Sequence, residues 1–103
     1  MTEISDDKRF EWDSDKNEIN KVKHGLSFEQ ILTLFDDPFF LERYDVEHSS
    51  VTEDRYFGLG SLHGIVVVAT SYIDNKRIRI ISARLASPKE EEIYNEYCKN
   101  ING

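Results

Sequence analysis

The 103-residue chain carries 13 Lys and Arg against 20 Asp and Glu, a net charge of −7, with 39% hydrophobic and 12% aromatic residues. That is room for one domain with one core, a globular rather than a disordered composition, and an acidity that argues against a general nucleic-acid binder. The lone Cys98 excludes an internal disulfide, no apolar h-region opens the chain, and the longest apolar run, residues 65–69, is far too short for a bilayer, so a soluble cytoplasmic protein is expected.

Residues 1–9 read as a flexible polar leader, and residues 10–103 as a single domain. Phe10-Glu11-Trp12 alternates apolar and polar, as a short strand does. Asp13-Ser14-Asp15 supplies N-cap residues for a first helix over 16–24, with Ile19 and Val22 on its buried side and Lys16, Asn20, Lys23 and His24 on the other. Gly25 ends that helix. Ser27 with Gln30 forms a capping box for a second helix, whose stripe is Phe28, Ile31, Leu32 and Phe35, and Asp36-Asp37-Pro38 stops it.

The middle is β, with strands predicted over 39–44, 55–62, 65–73 and 77–85 and turn chemistry at Asp74-Asn75. Short connections between these strands predict an antiparallel meander. Ser87, Pro88 and Glu90 start a last helix with Ile93, Tyr94 and Tyr97 on its apolar side. The predicted fold is α+β, in the order β-α-α-β-β-β-β-α, with helices on one face of an antiparallel sheet.

No metal site is predicted, because His24, His48 and His63 are dispersed, and no phosphate loop or nucleophile elbow is present. No cofactor is implied. What remains is cationic: the stretch 75–89 holds Lys76, Arg77, Arg79, Arg84 and Lys89 and no acid. Lys23-His24 and Arg55 complete the set. Cleavage of an RNA phosphodiester without a metal needs a base for the 2′-hydroxyl, an acid for the leaving 5′-oxygen and fixed cations on the phosphoryl oxygens. Imidazole and guanidinium groups suit those tasks. Each also has a plain alternative: His24 beside Gly25 as a helix C-cap, the basic strand as a solvated edge, Trp12 as a core aromatic. Arg79 and Arg84 have opposite parity, so a shared site requires a bulge between them.

Phe10-Glu11-Trp12-Asp13, Lys16, Asn20, Lys23-His24-Gly25 and Phe28 resemble the opening motif of the BrnT-like ribonuclease toxins of type II toxin–antitoxin modules. Phe35-Asp36-Asp37-Pro38, then His48 with Glu53-Asp54-Arg55 and Tyr56 to Gly60, then Arg79-Ile80-Ile81-Ser82-Ala83-Arg84 and Tyr94, are similar to that family's later blocks in the same order. The resemblance implies a RelE-like fold, metal-independent RNA cleavage that inhibits growth, and neutralisation by a ribbon-helix-helix antitoxin through which the complex reaches operator DNA. It implies a dimer or hetero-oligomer in that complex, and no membrane association. By position it implies catalytic roles for His24, Lys23, Arg55, Arg79 and Arg84, with Trp12, Lys16, Arg77 and Lys76 contacting RNA. Trp12 either stacks a base or only packs. Leu85 stands where the family usually carries a second basic residue, and residues 87–92 are acidic. These departures support a second expectation, a non-catalytic module that keeps the toxin fold as antitoxin partner and co-repressor.

Overall fold

A computed structural model describes residues 1–102. The elements are β1 (Thr2–Ile4), β2 (Phe10–Asp13), α1 (Ser14–His24), α2 (Phe28–Ile31) running on as a 3₁₀ segment (Leu32–Asp36), β3 (Leu41–Tyr44), β4 (Arg55–Leu62), β5 (Ile65–Asp74), β6 (Arg77–Leu85) and α3 (Pro88–Asn102). They form one α+β domain around a six-stranded sheet in the order β1-β2-β6-β5-β4-β3. Among the described residues no helix is long and apolar enough to cross a membrane.

Strands β3 to β6 form the expected antiparallel meander. The sheet as a whole is mixed, which corrects the antiparallel expectation: β2 lies parallel to β6, with Phe10 opposite Ile78 and Glu11 opposite Arg79. Two helices separate β2 from the meander, and such a long connection permits parallel pairing where a tight turn does not. The predicted order also gains a strand. Residues 2–4, assigned to the leader, pair antiparallel with Glu11 to Asp13. Their polarity fits an edge strand, whose side chains are exposed.

The helices cover both faces of the sheet, not one. Alternation sends Val67, Ala69, Ile80 and Ala83 to a core with Phe10, Trp12, Phe28, Ile31 and Leu34. Leu41, Leu59 and Val68 point the other way and meet Tyr94 of α3. The second helix buries Phe28, Ile31 and Leu34 at intervals of three. A 3₁₀ turn repeats every three residues, which is why the predicted 28-31-32-35 stripe slips to Leu34. Gly58 lets Phe40 in: a Cβ there would lie 2.0 Å from the ring. Asp37 ties three elements, accepting from the amides of Phe39 and Ser61 and from the Tyr94 hydroxyl. Burial pushes its carboxyl up, but those three donors outweigh burial and hold it below the usual carboxylate range.

The inner face of α1 departs most from expectation. Ile19 and Val22 are 63% and 90% exposed, and the buried residues are Asn17 and Asn20. Asn17 accepts from the Phe28 amide and donates to Glu29. Asn20 donates to the carbonyls of Leu26 and Ala83, at 2.9 and 2.8 Å, and accepts from the Ala83 amide at 3.2 Å. The helix itself starts at Ser14, two residues earlier than the expected start at residue 16, because the carboxylate of Asp13 takes the Lys16 amide. Replacing Asn20 by Ala strands three buried backbone groups, each costing about 1–3 kcal/mol. Urea unfolding of Asn20→Ala is expected to show a loss of at least about 2 kcal/mol, whereas Val22→Ala on the exposed side changes the midpoint little.

Candidate active-site cleft

Register places the basic residues before any contact is considered. On one face of the sheet Arg55 lies opposite Tyr72, and Tyr72 opposite Arg79. Further along the same face Leu59, Val68 and Arg84 form a rung. Arg79 and Arg84 share this face because β6 bulges: Thr70 faces Ser82, Ser71 faces Ile80, and Ile81 is the extra residue. The bulge that opposite parity demands is therefore present.

Helix α3 covers the Leu59–Val68 end of this face, and the rest opens as a cleft of about 460 Å³. Arg55, Phe57, Thr70, Ser82 and Arg84 supply the sheet wall. Lys16 of α1, Glu90 of α3, and Asp45 and His48 of the β3–β4 loop close the sides. That loop is anchored at its ends. The Asp45 amide donates to the Arg55 carbonyl, and the Arg55 amide to the Ser49 hydroxyl.

His48 is the one imidazole lining this cleft. Its Nδ1 sits 2.9 Å from Oδ2 of Asp45, whose Oδ1 accepts the His48 backbone amide. A carboxylate on one ring nitrogen fixes the ring's orientation and tautomer and leaves Nε2 for the solvent side. His48 belongs to the family-like blocks of the sequence but not to the site residues expected from them. The Asp-x-x-His spacing at 45–48, ahead of Arg55, was the available signal.

Arg55, Arg79 and Arg84 each face an acid. Glu90 binds Arg84 through two contacts, at 2.7 and 2.9 Å. Glu11, 7% exposed, holds Arg79 at 2.5 Å, and Glu53 pairs with Arg55. Burial lowers the Arg79 pKa, and the Glu11 hydrogen bond together with the charges of Tyr72, Glu11 and Asp74 more than reverses this, leaving it raised. Arg84 is raised chiefly by Glu90. Glu90 is held down to about 2, first by Arg84 and then, against burial, by the Ser87 amide.

The remaining expected residues fall outside the cleft. Lys23 and His24 lie in the last turn of α1, where positive charge complements the helix dipole. Lys23 is about 10 Å along the axis from Lys16, by the rise of 1.5 Å per residue. Arg79 sits beside the cleft lining, engaged by Glu11. Lys76 occupies the β5–β6 turn, where it and Asn75 adopt positive φ of 72° and 49°, and Arg77 donates to the Lys8 carbonyl. Trp12, expected either to stack a base or to pack, is a core residue. At 3% exposure it offers no ring face to a base.

Glu90 also caps α3, exchanging hydrogen bonds with Ser87. Its folded pKa lies below its ordinary value of 4.5, so its stabilisation is complete above that value and is lost as pH falls toward about 2. Glu90→Gln, which keeps a capping side chain, is expected to lose less stability than wild type between those two pH values in acid unfolding followed by circular dichroism.

A family model described as ribonuclease toxin, BrnT, of type II toxin–antitoxin system matches residues 12–90. No curated protein matches the chain.

Proposed function

Because the chain belongs to the BrnT family of ribonuclease toxins from type II toxin–antitoxin systems, we propose that it is a metal-independent endoribonuclease, on a RelE-related fold, whose active site is the cleft between Lys16, His48, Arg55 and Arg84. The observation that carries this reading is the Asp45–His48 pair facing two guanidinium groups across one cleft. Arg55 and Arg84 hold the scissile phosphate, and Lys16 binds a neighbouring one. The 2′-oxygen attacks phosphorus, the bond to the 5′-oxygen breaks, and the products are a 2′,3′-cyclic phosphate and a 5′-hydroxyl. His48 serves the proton transfer of this step, with Asp45 steadying the imidazolium as it forms. His24 and Lys23 extend the phosphate track along α1, and Arg79, Arg77 and Lys76 extend it along β6. The toxin is neutralised by a ribbon-helix-helix antitoxin, and the complex reaches operator DNA through that partner.

The second reading, a non-catalytic partner and co-repressor, draws on the carboxylates beside Arg55, Arg79 and Arg84. RNA has to displace Glu53 and Glu90 to reach the cleft arginines, and the chain's net charge of −7 opposes its approach.

Cleavage of total RNA in EDTA separates the two. His48→Ala is expected to slow wild-type cleavage about 10²–10⁴-fold, and Arg84→Ala about 10²–10³-fold. His24→Ala is expected to stay within about tenfold of wild type, a barrier change of no more than about 1.4 kcal/mol. Cleavage lost in His24→Ala but kept in His48→Ala would move the proton-transfer role to the end of α1. A folded wild type without activity would favour the second reading.

A further inference from the structure

The opposite face of the sheet carries a second concavity, of about 470 Å³, at the end where β3, β4 and β5 meet the 3₁₀ segment. Phe35, Phe40 and Tyr56 line it, with Glu42 and Arg9 at its polar side. Phe35 and Phe40 stand with ring centroids 4.8 Å apart, and Tyr56 is propped edge-on by Tyr44 at 5.5 Å. Phe40 is held in place by the missing side chain of Gly58. The aromatic walls are thus fixed by the fold.

Glu42 is the unusual member. Arg55, Arg79 and Arg84 each have an acid, whereas the Glu42 carboxylate, beside the aromatic pocket, has no hydrogen-bond or ion-pair partner among the described residues. The nearby Arg9 is engaged by Asp36 at 3.2 Å. Removal of water from around Glu42 raises its pKa. An unpartnered acceptor pair at the rim of a pocket walled by aromatic rings is matched by a flat ligand with two adjacent N–H donors.

We propose that this pocket binds a guanine base of the RNA, stacked on the aromatic walls with its N1–H and N2–H donated to Glu42. Single-stranded RNA is read in this way, by splayed bases stacked on aromatic rings and hydrogen-bonded along their Watson–Crick edges. Guanine alone among the four bases presents two adjacent donors there. Adenine and cytosine each present a donor beside an acceptor, and uracil a single donor between acceptors, so an acceptor faces the carboxylate in each. The pocket rests on the ribonuclease reading and connects to it through two elements. Tyr56 faces the pocket and its neighbour Arg55 the cleft; Glu42 lies in the pocket and Asp45, three residues on, in the cleft. An RNA strand crossing this end of the sheet meets both, which makes Glu42 a specificity determinant for the cleavage position.

The test begins with binding, which does not require cleavage. Titration of ¹⁵N-labelled wild type with 5′-GMP is expected to shift the amides of Phe40, Glu42 and Tyr56, with 5′-AMP, 5′-CMP and 5′-UMP at least about tenfold weaker. Glu42→Gln, exposed and therefore tolerated by the fold, is expected to lose that preference. Equal shifts with all four nucleotides, or an undiminished GMP response in Glu42→Gln, would overturn the proposal. Sequencing of RNA ends then reads the consequence: wild-type cuts at a fixed offset from guanosine, and a flattened bias in Glu42→Gln. GMP binding without RNA cleavage would keep the pocket and defeat the ribonuclease reading. Cleavage without guanosine bias would do the reverse.

Discussion

Beyond the Glu11–Arg79 pair, β6 has no strand on its outer side, because the chain leaves β2 at Asp13 to begin α1. The side chain of Asn20 takes the vacant place. Its carboxamide presents a donor and an acceptor to the carbonyl and amide of Ala83, as a strand's peptide group would, and its second N–H holds the Leu26 carbonyl of the turn into α2. One buried side chain therefore fixes α1 against β6, sets the turn that delivers Phe28 to the core, and positions Lys16 one helical turn away at the cleft. A leucine at this position would fill the space and leave the strand's polar groups without partners. The Asn side of α1 is inward for this reason, although Ile19 and Val22 are the more hydrophobic residues.

The second constraint is the extra residue at Ile81. A regular β6 would send Arg84 to the packed face, among Val67 and Ala69, where an unpaired guanidinium has no place. The bulge returns Arg84 to the face of Arg55 and Arg79 while leaving Ile80 and Ala83 in the core. A carboxylate pairs with each of Arg55, Arg79 and Arg84. In the free protein these acids keep the cations oriented and screened, at the expense of attraction for a polyanion.

How much of this was legible depends on the range of the interaction. Local signals carried the strands of the meander, the Ser27–Gln30 and Ser87–Glu90 capping boxes and the stop at Asp37, because each is settled within a few residues. The parallel pairing of β2 and the burial of Asn20 were not legible, since both are decided by groups more than sixty residues away. Parity did flag that Arg79 and Arg84 required a bulge, though not where it falls. Trp12 was open between stacking and packing from its type alone, and only the sheet order shows what covers it. In the sequence His24 stands out over His48 because it sits in a compact Lys-His-Gly motif. His48 acquires its surroundings only when the 45–54 loop folds back onto Arg55.

Glu90 Oε1 accepts from both Arg84 and the Ser87 amide. A single atom thus joins the floor of the cleft to the first turn of α3, and α3 in turn reaches Asp37 through Tyr94. An anion that takes Arg84 releases Glu90 to serve the helix end alone. A continuous run of hydrogen bonds thus leads from one face of the sheet, by way of the helix that packs on it, to the segment lining the other.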